Sequence, residues 1–176
     1  LIHLQEGRYQ LATEMFERYL KIKPDSDQVR LYLARIAREE GRYEAALEWL
    51  SSIYSQNFRF EAQLEVGRVI SDQGRSDEAI NHLARILPRN VDEQVQIYLT
   101  EEQILRSVDK FEQAFTLLNA ALSDIPDDPE LLYARGLVAA QLENDVKFSN
   151  PSYFSTVMGL AFRKLDVFGY YKFVTA

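Results

Sequence analysis

The sequence predicts an all-α chain of stacked antiparallel helix pairs, and three observations carry that expectation. One phrase is written three times: "QEGRYQLATEMF" (5–16), "EEGRYEAALEWL" (39–50) and "DQGRSDEAINHL" (72–83). Its small residue keeps a fixed period, with Ala12, Ala46, Ala79 and Ala114 spaced 34, 33 and 35 apart. Self-similarity at that period is what repeated helical hairpins leave in a sequence. The 176 residues are 47% hydrophobic, enough to build a core, and no apolar run is long enough to span a bilayer.

Each repeated position has a physical reason. The Ala lets two helices approach, and Phe16, Leu50, Leu83 and Leu118, one turn later, fill the space beside it. Tyr9, Tyr43, Ser76 and Phe111 stand three residues before the Ala. Gly7, Gly41 and Gly74 fall where one helix ends and the chain must turn back, a place that favours positive φ. Asp109 takes that place in the fourth copy, and Asp tolerates the left-handed turn next best. Pro24 and Pro126 close two units because proline cannot continue a helix. Asp128 and Pro129 read as the N-cap and first residue of a further helix.

This spacing resembles the tetratricopeptide repeat, a two-helix unit of about 34 residues. The resemblance covers residues 1–143 and implies a right-handed superhelical solenoid. In that register the array is a half repeat (1–26), whole repeats at 27–59, 60–94 and 95–128, and the first helix of a fifth at 129–143. The register opens partway through a unit, as expected of a piece of a longer array. Phe58 stands where the second unit should have its closing proline, so a looser or differently angled joint is expected there. Residues 144–176 depart from the pattern. They hold eight Phe or Tyr and four basic residues against two acidic ones, which leaves the body at −9 of the chain's net −7. Asn150 and Pro151 read as cap and first residue of a helix to about Lys164; Gly169 breaks it, and "YYKFVTA" has strand-like composition. This segment is expected to cap the solenoid, to dock on another copy or a partner, or to be a junction. "YFSTVMGLAFRKL" (153–165) resembles the last helix of the actin-like proteins of type IV pilus assembly, without that family's phosphate-binding parts.

Composition narrows the chemistry. An acidic body repels phosphate backbones, so nucleic acid is not an expected partner. There is no cysteine, and the two histidines, His3 and His82, each stand alone, so no metal site or cofactor is expected. His3 replaces an aromatic packing residue and His82 reads as a surface or boundary residue. "SDIPDDPE" (123–130) lacks the ligand alternation and central Gly of a calcium loop and reads as turn and cap. Glu39–Glu40 and Glu101–Glu102 are adjacent on helices, point apart, and read as solvated charge. No catalytic constellation is found, so the chain is expected not to be an enzyme.

The resemblance implies a concave groove lined by the first helix of each unit. At its fifth place stand Leu31, Leu64, Leu99 and Tyr133; at the ninth Arg35, Arg68, Gln103 and Leu137; at the twelfth Arg38, Ser71, Arg106 and Ala140. Spacings of four and three put these places on one helical face. Such a face, apolar with cationic flanks, fits an acidic or apolar peptide or a C-terminal segment. The competing reading is that the arginines pair within the chain, with Glu39, Glu65, Asp72 or Glu102. The family's chaperone-binding members hold a carboxylate with Lys and Asn at places five and nine; Leu and Arg here do not match. The expected function is a non-enzymatic protein-binding scaffold or adaptor of bacterial type. The alternatives are a structural module assembling through the aromatic tail, and a fragment of a larger envelope or pilus-assembly protein. Periplasm, envelope and cytoplasm all remain open.

Overall fold

The computed structural model describes residues 9–149, with side chains through 143. Those residues form helices α1 (Tyr9–Ile22), α2 (Asp27–Glu39), α3 (Tyr43–Ser51), α4 (Gln56–Asp72), α5 (Ser76–Leu83), α6 (Val91–Ser107), α7 (Phe111–Asp124) and α8 (Pro129–Ser149). They fall into two compact units, Leu1–Ile104 and Leu105–Ala176. Among the described residues the fold is all-α, built of consecutive helix pairs of the repeat solenoid.

The repeated phrase is the hinge of each pair. Gly41 has φ 71°, Gly74 φ 80° and Asp109 φ 58°. Around each, two amides close the preceding helix in the same way. Gly41 N donates to Arg38 O and Arg42 N to Ala37 O; Gly74 N donates to Ser71 O and Arg75 N to Ile70 O; Asp109 N donates to Arg106 O and Lys110 N to Leu105 O. This is the Schellman pattern, and it needs a left-handed residue at its centre. The next helix starts at once, with Ala46, Ala79 and Ala114 donating to the carbonyls of Arg42, Arg75 and Lys110. A Cβ on Gly41 would meet nothing within 4 Å, so its backbone conformation alone makes glycine preferable. Gly41→Ala is expected to cost about 1–2 kcal/mol, whereas Asp109→Gly should gain up to about 1 kcal/mol. Urea midpoints measure both, and a stabilising Gly41→Ala would contradict the turn assignment.

The register of Ala and Leu is the register of the core. Ala46, Ala79 and Ala114 are fully buried, as are Leu83 and Leu118, and Leu50 nearly so. In the first unit, α2 and α3 close one cluster with Leu31, Ala37, Ala46, Leu50, Ala62 and Val69. Leu64, Ala79, Leu83, Ile97 and Ile104 close a second. Gly67 lets α4 lie close against α5: a Cβ there would sit 2.8 Å from Leu83 Cδ2. In the second unit, Ala114, Leu118 and Ala121 of α7 are buried along with Leu131, Ala134 and Val138 of α8.

The joints are tied by caps. Asp128 Oδ1 accepts from Glu130 N (3.0 Å) and Leu131 N (2.9 Å), which starts α8 at Pro129 as expected. Asn90 Oδ1 accepts from Glu93 N at 2.8 Å and starts α6 at Val91, ahead of the expected boundary at 95. Ser55 Oγ accepts from Asn57 N at 3.3 Å and starts α4 at Gln56. Phe58 therefore lies inside α4, packed against the first cluster, and the joint before it is not loose. The buried carboxylate of Asp27 accepts from Tyr54 N (3.1 Å) and Ser55 N (2.6 Å), which ties the joint to the start of α2. The helix expected to end at 143 continues through Ser149. His3, Gly7 and the expected elements from Asn150 onward lie outside the described residues.

Candidate functional site

The first helices α2 and α4 bring three arginines to one glutamate. Arg35 Nε donates to Glu65 Oε1 at 2.8 Å, and its other arm reaches Glu61 Oε1 at 2.5 Å. Arg68 donates to Glu65 Oε1 at 3.1 Å and to Thr100 Oγ1 of α6 at 3.2 Å. Arg38 donates to Glu39 at 2.9 Å, and its Nε lies 3.7 Å from Asp72 and 3.9 Å from Glu65. Glu65 is buried, so its charge is tolerated only because cations surround it. Arg38 Nε and Glu65 Oε2 are also buried, and neither completes a hydrogen bond.

The electrostatics follow from this crowding. Burial opposes charge on Arg35, but attraction to Glu65 and Glu61 outweighs it and raises the guanidinium pKa. Burial lowers the pKa of Arg68 despite Glu65, and repulsion from Arg38 and Arg35 adds to the fall. Burial raises the Asp72 carboxyl against the pull of Arg38. Arg68 is thus a half-buried cation whose one close carboxylate, Glu65, does not offset its burial.

The expected groove residues separate into four groups. Arg35, Arg38 and Arg68 are half-buried and engaged within the chain, with Glu39, Glu65 and Asp72 among their partners. Leu31 and Leu64 are each 2% exposed and belong to the core clusters, so they do not line an open surface. The reason is geometric: in α2 and α4 this place faces neighbouring helices of the unit rather than solvent. Leu99 is half-buried, while Gln103 and Arg106 are exposed at the other end of α6. In the second unit Tyr133 is 70% exposed, and Leu137, one turn on, is also exposed.

One further expectation changes. Glu101 and Glu102 are 8% and 3% exposed, not solvated. A helix inside a stack is covered on more than one side, so two adjacent residues pointing apart can both be interior. Burial pushes the Glu101 carboxyl up to about 7. Because its folded pKa lies above the unfolded value, stability is greatest at low pH and falls as pH rises through 7. Glu101→Gln is expected to raise stability at pH 8 by roughly 2 kcal/mol and to have little effect at pH 4. Unfolding curves at the two pH values test this; an equal effect at both would contradict it. His82 is half-buried, and its Nε2 donates to Gln63 O at 3.0 Å, as suits a boundary residue.

Sequence reasoning missed Asp27 and the Arg59–Arg85–Arg89 grouping. The former acts on a loop 27 residues away, and the latter is assembled from α4 and the segment after α5. Only the acidic residue at the start of α2 was visible, and nothing in its spacing shows a distant target.

Residues 3–63 match the family model of the tetratricopeptide repeat. The TPR repeat-containing protein PA4667 of Pseudomonas aeruginosa is 30% identical over 128 residues, which are 69% of this chain and 22% of that protein. The chain therefore spans about a fifth of that relative's length. Among solved structures, the human IFIT1 dimer with m7Gppp-AAAA superposes with a TM-score of 0.54 at 18% identity, over 87% of this chain and 37% of that one. The human IFIT1 dimer with PPP-AAAA gives 0.51 at 17%, over 87% and 36%. At that identity the likeness is one of fold. Among the described residues no helix is long and apolar enough to cross a membrane.

Proposed function

Since the chain belongs to the tetratricopeptide-repeat family, whose repeats generally mediate protein interactions, we propose that it is a non-enzymatic scaffold that binds a protein segment on the first-helix face of its repeats. The observation that carries this reading is the convergence of Arg35, Arg38 and Arg68 from two successive first helices onto a single buried glutamate. Two helices hold these cations in fixed positions, so an acidic ligand orders little on binding. Glu61 and Glu65 occupy them in the free protein and act as an internal stand-in for that ligand. The second unit, taken by itself, exposes Tyr133 and Leu137 one turn apart on its own first helix. Leu31 and Leu64 drop out of the ligand surface and support it from below.

Panning a randomised peptide library on the protein tests the reading. The enriched peptides should combine acidic with apolar or aromatic residues. Arg68→Gln, which leaves Glu65 paired with Arg35, should weaken the best of them about tenfold and flatten its salt dependence. Enrichment of basic peptides, or affinities indifferent to Arg68→Gln, would count against the proposal.

A further inference from the structure

The first unit carries a second cationic feature on the opposite side of α4. Gln56, Arg59, Phe60 and Gln63 recur at helical spacing and line a cleft of about 760 Å³ with His82 of α5 and the segment 84–90. This stripe lies about 140° around α4 from Glu61 and Arg68, so it is separate from the arginine–glutamate cluster. Three guanidiniums line the cleft: Arg59, Arg85 and Arg89. Arg89 is held by Glu93, whose two oxygens accept from its side chain and its amide, and that pairing holds the Glu93 carboxyl below the usual carboxylate range. Arg59 and Arg85 are exposed, and their guanidiniums make no hydrogen bond or ion pair among the described residues. The lining thus carries three positive charges against one negative on a chain whose net charge is −7.

The floor is apolar. Phe60 and Ile86 are half-buried against the core cluster of Leu64 and Leu83, and Leu87 stands 87% exposed at the rim. The exposed leucine is unfavourable in water, and together with the two arginines it suits a ligand that is both apolar and acidic. The hydrogen bond from His82 Nε2 to the Gln63 carbonyl fixes the imidazole in the wall between them.

We propose that this cleft is a second docking site, taking a short acidic segment of a partner protein in which carboxylates flank one aromatic or large apolar side chain. Arg59 and Arg85 take the carboxylates, and Phe60, Ile86 and Leu87 take the apolar side chain. Charge complementarity selects the ligand's sign. The apolar floor and the Glu93 carboxylate favour a peptide over a phosphate backbone, which would bring charge at every step. A scaffold with both sites engages two segments at once, on opposite sides of one helix, and gains the affinity that linkage confers.

Fluorescence anisotropy with a labelled Asp-Asp-Phe-Asp-Asp peptide, and amide shifts in nuclear magnetic resonance spectra, test the site. Binding should shift resonances of residues 56–63 and 82–89. Arg59→Glu combined with Arg85→Glu should reduce affinity at least tenfold, and Leu87→Asp severalfold. All three side chains are exposed, so the variants should keep the melting temperature of the parent. Arg68→Gln should leave this binding unchanged, which separates the cleft from the first-helix face. No saturation at millimolar peptide, or shifts confined to the first-helix arginines, would overturn the proposal. So would unchanged affinity in the double variant. A length-matched oligothymidylate that binds the cleft more tightly than the peptide would overturn the assignment of a peptide ligand.

Discussion

Glu65→Ala is expected to lower the unfolding free energy by about 3–5 kcal/mol, the largest loss from any single charged residue in the first unit. Removing the carboxylate leaves Arg35, Arg38 and Arg68 facing one another with burial already set against Arg68. Glu61 and Asp72 compensate in part, but both are more exposed than Glu65 and neither touches Arg68. Urea unfolding monitored by circular dichroism gives the number. A loss under about 1 kcal/mol would mean that the arginines relax into solvent and that the cluster is ordinary surface charge.

Asp27→Ala is expected to cost about 2–4 kcal/mol. The carboxylate accepts from Tyr54 N, Ser55 N and Arg30, and hydrogen bonds to a charged group are worth more than neutral ones. Alanine leaves two amides of the joint without their partner, and it also removes an acidic residue from the first turn of α2. Asp27→Asn keeps one accepting oxygen and should cost about half as much. Hydrogen exchange at Tyr54 and Ser55 provides the local readout. Unchanged protection of both amides in Asp27→Ala would show that the joint is held by other contacts.

Most of the helical architecture within each unit is legible in the sequence because it follows from local chemistry repeated at a fixed period. Gly41, Gly74 and Asp109 announce the left-handed turns, Ala46 and Leu50 with their counterparts announce the packed face, and Asp128–Pro129 announces a helix start. The starts of α4 and α6 come earlier than the repeat register suggests because Ser55 and Asn90 cap those helices locally. The candidate site is less legible. Helical periodicity puts Leu31, Arg35 and Arg38 on one face but cannot tell which part of that face a neighbouring helix covers. Leu31 and Leu64 thus went to the core, and the arginines went to its half-buried margin. Adjacent Glu101 and Glu102 look solvated in one dimension and are interior in three. The cleft of Arg59, Arg85 and Arg89 has no sequence signature at all, since α4, α5 and a non-helical segment each contribute part of it.

Site-specific photocrosslinking to the best library-selected peptide tests most directly that the first-helix face is the ligand surface. A photoreactive residue would replace Gln103, which is exposed on a first helix, and in parallel Glu48, which is exposed on a second helix of the same unit. The account predicts peptide adducts from position 103 that fade with added salt, and none from 48. Equal labelling at both positions, or adducts from position 48 alone, would contradict it.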